Sequence, residues 1–430
     1  MMLTIAYLAN QFPSAVEPYV GEEIEELRRR GVRVIAGSVR KPATDKGSAA
    51  ECAPQVVLQP LQGIILLRAI WLCVRQRKRI SPLMGRILFR GGEGPLTRLK
   101  ALVHTCLGAC YAVLLGELEV EHIHVHHGYF GSWIAMVAAR LLGVEFSMTL
   151  HGSDLLLHGT YLDVKLENCT LCRTVSEYNR DYILQRYPTV DAEKVLVARM
   201  GVEVAECTAV PVSKPKTNRD SFTLLAVGRL HAVKDHAFLV RACAQLPDAH
   251  FECLIAGDGP EWRNLQSLIR ECGLEERVTL LGHVGREHMD SWYDRADLVV
   301  LTSRSEGIPL VLMEAMARGK IVLAPAITGI PELVIAGKTG FLYEAGSLDD
   351  FVARLLFIRS LMQAPEEPHL RPYILSAARL LDRVRHAAKA QVRQNFNRSK
   401  NLESFGDLFL RRIAPQIEST PHENLILQQI

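Results

Sequence analysis

The sequence predicts an α/β protein built from two doubly wound parallel sheets. Short apolar runs alternate with helix-like stretches along both halves, which is the pattern of strand–helix–strand units with helices on both faces of a sheet. The 430 residues are too many for one hydrophobic core and suit two domains of roughly 200 residues. A polar stretch carrying Pro, Ser, Lys, Thr and Asn, Pro211 to Asp220, separates the two series and reads as a linker.

The first half opens with an apolar run, Leu3 to Leu8, then a polar turn, Asn10 to Ser14, and a helix from Glu17 to Arg30. Gly31 ends that helix and Val32 to Ser38 is the next strand. Strands follow at His122 to His126 and Phe146 to Leu150, with helices at Ser132 to Leu142 and Ser176 to Tyr187. In the second half the strands are Phe222 to Val227, Phe251 to Ala256, Val278 to Leu281, Leu298 to Thr302 and Ile321 to Ala324. The expected domains are 1–205 and 221–395, with a linker at 206–220 and a last helix in 396–430 returning to the first domain. Two such domains are expected to face each other across a cleft, where ligands bind.

Composition excludes several classes. With 48% hydrophobic and 23% charged residues and a net charge of +3, the chain reads as a globular protein with no overall signal for nucleic acid. No run of 18 apolar residues predicts a spanning helix, and no basic segment precedes the first strand as in a secretory leader. The ten cysteines include one Cys-x-x-Cys pair, Cys169 and Cys172, expected to be buried thiols of a reducing cytoplasm. Local charge is more telling. Residues 61–100 hold nine basic side chains against one acid, Glu93, interleaved with apolar residues such as Ile64, Leu67 and Trp71. Such a segment suits an anionic membrane surface, where each Lys or Arg contributes about 1 kcal/mol. A solvated helical face over an ordinary core is the plainer alternative.

Three clusters fall at strand ends, the edge where doubly wound sheets bind ligands. Gly228, Arg229 and Lys234 follow one strand: the glycine lets a ligand approach the backbone, and the two cations suit a diphosphate. In Glu306-Gly307-Ile308-Pro309-Leu310, continuing to Glu314, two carboxylates eight residues apart flank a helix start whose N–H groups favour anions. A carboxylate accepts from two vicinal hydroxyls, so Glu306 and Glu314 suit a sugar and a ribose. Thr328-Gly329-Ile330-Pro331-Glu332 marks a third turn, where Glu332 is expected to brace the loop, and Gly257-Asp258-Gly259-Pro260 a fourth. In the first half, His122, His124 and His126 share one strand face and resemble a zinc-ligand row. No metal is expected there.

Taken in order, Gly228-Arg229-Leu230 with Lys234, Ala256 to Pro260, Glu306 to Glu314, Gly329 to Glu332 and Gly340-Phe341-Leu342 resemble the retaining glycosyltransferases of the GT-B fold, group 1 or family 4 type, which have two Rossmann-like domains. The resemblance covers Phe222 to Leu348. It implies a nucleoside diphosphate sugar as donor, no permanently bound cofactor and no metal. Arg229 and Lys234 would hold the diphosphate, Glu306 the donor sugar beside the backbone of Ile308 and Leu310, and Glu314 the ribose. The loop of Gly282, His283 and Val284 would lie against the base. His151-Gly152-Ser153-Asp154 looks like the family's His-Gly element and makes His151 a catalytic candidate with Arg229, Lys234 and Glu306. Phe12, His127 and Asp154 would sit on the acceptor side. Asn10-Gln11-Phe12-Pro13-Ser14 with Glu17 resembles a branch that assembles bacterial exopolysaccharide, so the acceptor is expected to be a glycan or lipid-linked sugar, at the inner face of the cytoplasmic membrane. Met200-Gly201-Val202-Glu203 departs from the Asn-Gly-Val-Asp of many relatives, and the Gly-Gly after the first strand is missing. A sugar phosphorylase, a nucleotide-sugar epimerase and a non-catalytic scaffold share this architecture. A dehydrogenase is disfavoured, since no G-x-G-x-x-G opens either first helix.

Overall fold

A computed structural model describes residues 2–14, 17–41, 54–157, 159–204, 222–247, 250–363 and 371–419. The expected linker core, 206–220, lies outside them. Met1–Ala198 with Leu402–Ile430 form one compact unit and Arg199–Asn401 a second.

The first unit holds a seven-stranded sheet of β1 (Thr4–Ala9), β2 (Arg33–Ser38), β3 (Val56–Val57), β4 (His122–His126), β5 (Glu145–Leu150), β6 (Leu171–Thr174) and β7 (Val195–Val197). Every pairing is parallel, in the order β3-β2-β1-β4-β5-β6-β7. The second unit holds β8 (Phe222–Val227), β9 (Phe251–Ala256), β10 (Val278–Gly282), β11 (Leu298–Val300), β12 (Ile321–Pro325) and β13 (Phe341–Tyr343), parallel in the order β10-β9-β8-β11-β12-β13. β1, β4, β8 and β12 are buried almost throughout. That is why β1, β8 and β12 read as largely apolar runs, helices covering a parallel sheet on both faces, whereas β4 buries three histidines. In each sheet the strand order reverses beside the first strand, between β1 and β4 and between β8 and β11. Such reversals are where doubly wound sheets bind ligands.

β3, β6, β7 and β13 escape a reading by apolar runs because each has only two to four residues. β6 is also disguised by Arg173, a charge that nevertheless lies buried. The basic segment forms helices Gly63–Arg75 and Arg77–Phe89 and the start of helix Pro95–Leu115. This last helix is long and apolar enough to cross a bilayer, by length and composition alone. Leu107 to Ala112 nonetheless lie buried, within the core of the first unit. Cys169 and Cys172 are buried there too, and burial pushes the Cys169 thiol up to about 12.

Helix Arg398–Ser419 follows the second unit and closes the first: Phe405, Phe409 and Ile413 pack with Ile5, Tyr7, Leu27 and Val34. Arg30 pairs with Asp407 at 2.5 Å, and the Arg173 guanidinium lies 4.2 Å from the Phe405 ring centre. Met200–Glu203 is pinned to the preceding turn. The Val202 N–H donates to Phe396 O and the Arg398 N–H to Val202 O, each at 3.0 Å, and a Cβ on Gly201 would meet Phe396 O at 2.5 Å.

Helices Pro95–Leu115 and Phe130–Leu142 cross closely at Gly108, where a Cβ would lie 2.6 Å from Val137 Cβ and 2.9 Å from Ile134 O. Neither helix backbone yields easily in a packed core. Gly108→Val is expected to lower unfolding free energy by about 3 kcal/mol or more, read by chemical denaturation, whereas Gly85→Ala, inside a helix with nothing within 4 Å, is expected to raise it by up to about 1 kcal/mol.

Candidate active site

In the second unit, three glycine turns at the ends of β8, β9 and β10 lie against one another. Gly228 N–H donates to Ala256 O and Leu230 N–H to Asp258 O, both at 2.9 Å, while Gly257 N–H donates to Gly282 O at 2.8 Å. A Cβ on Gly257, whose φ is +151°, would stand 1.9 Å from Gly228 O, so no side chain fits. Gly282 adopts φ +73°; beyond it His283 is exposed and Val284 half-buried.

Across the switch point, the loop after β11 is stitched to the loop after β8. Lys234 ends a 3-10 turn, Ala232–Lys234, and its ammonium lies 2.5 Å from Glu306 Oε1. The side chains are 20% and 12% exposed, so the contact is partly shielded from water. Thr302 Oγ1 donates to Lys234 O at 3.0 Å, Arg304 N–H to Val233 O at 2.8 Å, and the Arg304 guanidinium to Asp235 at 2.6 Å. Arg229 is exposed on the same turn. The His236 ring lies against Gly228; burial, then the Lys234 charge, pulls its pKa down to about 4, so it is neutral. Pro309 caps helix Leu310–Ala317 and is buried with Ile308, while Gly307 and Leu310 are half-buried. Glu314, in the second turn, accepts from Tyr293 Oη at 2.8 Å.

The sequence-based candidates Gly228, Lys234, Gly257, Gly282 and Glu306 to Leu310 therefore share one edge of the second sheet. Glu332 pairs with Arg199 at 3.0 Å, a brace. Sequence reasoning missed His236, Tyr293 and the loop hydroxyls. Among these, Ser303 Oγ and Ser305 Oγ are buried without a hydrogen-bond partner. The run Thr302-Ser303-Arg304-Ser305 before Glu306 was the available signal.

In the first unit, the loops after β1, β4 and β5 meet around imidazoles. His126 Nδ1 lies 3.0 Å from His151 Nε2, and His126 Nε2 3.1 Å from Glu23 Oε2. Arg173 Nη1 donates to Glu23 Oε1, and Tyr7 Oη to Glu23 Oε2 at 2.6 Å. Burial pushes the Glu23 carboxyl up, but Arg173 and then His126 outweigh it and hold it well below the usual carboxylate range. Burial, then the His127 charge, keeps His151 neutral by pulling it well below the ordinary imidazole value.

His127 lies 2.9 Å from Glu17 Oε1 and 3.6 Å from Asp154 Oδ2. Asp154 is fully buried and accepts the N–H groups of Gly128 and Gly152 at 2.8 Å and of His151 at 3.1 Å. It ties the loops after β4 and β5 together, rather than offering a face to an acceptor. Lys165 Nζ, buried, donates to Gly128 O, Tyr129 O and Thr160 O and fixes the same loop; burial pulls its pKa down to about 7. Phe12, the other residue expected on the acceptor side, is 4% exposed and packs in the core with Val20 and Ile24. Its apolar ring gains more from that core than from a wet crevice.

The histidines of this row are engaged by side chains of the neighbouring strand and of the first helix. His122 and His124 both bond Ser147 Oγ at 2.7 Å, and His124 also Thr149 Oγ1 at 3.1 Å. Among the described residues, the grouping whose ligand atoms lie within 4.8 Å of one another is Glu23, His124 and His126, and all three already make hydrogen bonds.

Burial pulls the His127 pKa down, but the nearby Asp154 carboxylate and the bond to Glu17 outweigh it and hold it at about 9. The unfolded value is near 6.5. The stabilisation from this cation is thus complete below about pH 6.5 and lost as pH rises through about 9. The stability difference between wild type and His127→Gln is expected to shrink across that window in urea unfolding series. A Glu17→Gln change is expected to lower the pKa of the His127 imidazole resonance.

The profile of a family described as "Glycosyl transferases group 1" matches residues 212–371. A D-inositol 3-phosphate glycosyltransferase of Pseudarthrobacter chlorophenolicus is 31% identical over 293 residues, 60% of this chain and 67% of that protein. WcaL of Escherichia coli (strain K12), a putative colanic acid biosynthesis glycosyltransferase, is 33% identical over 208 residues. That match spans 46% of this chain and about half of WcaL, 49%. Among solved structures, the sucrose-phosphate synthase of Thermosynechococcus elongatus superposes with a TM-score of 0.71 at 17% identity, over 96% of this chain and 100% of that one. Anabaena HepE, solved with UDP, gives 0.67 at 19%, over 95% and 100%. The fold is GT-B, and the chain belongs to the group 1 glycosyltransferases.

Proposed function

We propose that the protein transfers a sugar from a nucleoside diphosphate sugar, with retention of configuration, to a glycan or lipid-linked acceptor during bacterial polysaccharide assembly. The observation that carries this reading is the Lys234–Glu306 contact at the switch point of the second sheet, beside glycine turns packed closely against one another. A diphosphate entering there meets the Lys234 ammonium, the exposed Arg229 and the first amides of helix Leu310–Ala317. These fixed groups stabilise the charge that grows on the departing diphosphate, and such preorganised stabilisation supplies most of the acceleration in chemistry of this kind. Glu306 accepts from hydroxyls of the transferred sugar and Glu314, oriented by Tyr293, from the ribose. Gly282 to Val284 borders the base. Colanic acid assembly by WcaL and the UDP bound to HepE agree in substrate class with this reading.

In the first unit, His151 is the proposed contact for a sugar hydroxyl. The Glu23 carboxylate has no proton to give, so His126 Nε2 donates to it. Arg173 also pairs with Glu23, and His126 Nδ1 lies 3.0 Å from His151 Nε2. His126 engages Nε2 of His151, which leaves Nδ1 as the ring nitrogen to meet a sugar hydroxyl. Arg229 and Lys234 supply the positive charge a metal would otherwise bring, so no metal is required.

A panel of nucleotide sugars scored for released UDP or GDP tests the reading. Lys234→Ala and Glu306→Ala are each expected to lower turnover at least about a hundredfold, with wild-type release unchanged by EDTA. Near-normal turnover in either variant overturns the site. Glu314→Ala is expected to raise KM for the donor more than it lowers kcat.

A further inference from the structure

The described large hydrophobic side chains that stay exposed are concentrated in one place. Of the eighteen, eleven lie between Leu61 and Val103. On helix Gly63–Arg75 they are Ile64, Leu67, Ile70, Trp71 and Val74, spaced as one helical face, while Ala69 and Leu72 on the opposite face are buried. Helix Pro95–Leu115 packs against it and adds Leu96, Leu99 and Val103, again one face. Phe89, 83% exposed, ends the helix between them. An exposed apolar surface of this kind, rimmed by charge, marks an interaction site.

The rim decides the partner. Of the nine cations between 61 and 100, three serve the fold. Arg86 pairs with Glu93 and Asp163, Arg98 donates to the carbonyls of Leu88, Gly91 and Glu93, and Arg79 donates to those of Arg140 and Leu141. The other six, Arg68, Arg75, Arg77, Lys78, Arg90 and Lys100, are exposed; Arg68 reaches Glu117 only at 4.0 Å and Arg75 lies over the Trp71 ring. Apolar side chains with interspersed free cations fit the interface of an anionic bilayer, where the first enter the acyl boundary and the second meet lipid phosphates. A protein partner would need a complementary acidic surface, and a solvated face would not carry Leu, Ile and Phe.

The face also has a direction. His104, one residue past Val103, stacks on Phe130 at 5.2 Å between ring centres, and Thr105 Oγ1 accepts from Trp133 Nε1 at 2.9 Å. Phe130 opens the helix directly after the His127–Tyr129 loop. The amphipathic face therefore borders the sheet edge that carries His127 and His151.

We propose that the exposed face of helices Gly63–Arg75 and Pro95–Leu115, with Phe89, docks on an anionic lipid bilayer. It thereby brings the histidine edge of the first unit to acceptors anchored in that bilayer. This rests on the glycosyltransferase reading only for the identity of the acceptor; the docking stands on the face itself. The test is flotation of the full chain with vesicles of phosphatidylcholine alone and with one third phosphatidylglycerol. Binding is expected to the anionic vesicles and to weaken with salt. Each cation strengthens partitioning by about fivefold, so Arg75→Glu with Lys78→Glu is expected to weaken it at least about twentyfold. Leu67→Glu with Phe89→Glu is expected to abolish flotation, with circular dichroism unchanged in both variants. Equal flotation with both vesicle types, loss in neither variant, or a concentration-dependent dimer in place of vesicle binding each overturns the proposal. Release of nucleoside diphosphate without vesicles is measured in parallel. Flotation without release separates failure of the donor site from failure of the docking face.

Discussion

The carboxylate of Glu306 holds the Lys234 ammonium at the point of the second sheet where the loops leaving two neighbouring strands part, and the surrounding loops are built around that contact. A half-buried ammonium is costly unless a counter-charge accompanies it. Here the counter-charge comes from the next strand of the sheet, over seventy residues away in sequence. Thr302 and Arg304 then fasten the two loops together through backbone and Asp235. The rigidity of this edge follows: a cation whose position is set before a ligand arrives loses less on binding than one drawn from solvent.

The first sheet obeys the same constraint with different groups. Arg173 enters the core on a short strand and is balanced by Glu23 from the first helix, which in turn engages His126 and, through it, His151. Asp154 and His127 form a second balanced set, and Lys165 satisfies its three donors on carbonyls of two loops, Gly128 and Tyr129 in one and Thr160 in the other. Breaking any one of these would leave a buried charge uncompensated, which is far more damaging than never having the pair. The sheet edge is therefore polar but not plastic. The apolar side chains exposed along helices Gly63–Arg75 and Pro95–Leu115 lie on the opposite principle: they are left uncovered by the chain itself.

The sequence by itself determined the two-sheet architecture, because parallel strands covered on both faces need largely apolar runs, and runs of five or six residues such as Phe222 to Val227 and Ile321 to Pro325 are hard to mistake. It also determined the edge on which Gly228, Lys234, Gly257 and Glu306 gather, since strand ends and glycine turns are local properties. Only the tertiary structure decided which charges meet. Whether Asp154 faces an acceptor or caps three backbone amides, whether Phe12 lines a crevice or fills a core, and which six of nine cations remain at the surface all depend on partners distant in sequence. Pairings of Glu23 with Arg173 and of Glu306 with Lys234 bridge 150 and 72 residues. Side-chain type fixes what a residue is able to bond; the packing of distant strands fixes what lies within reach.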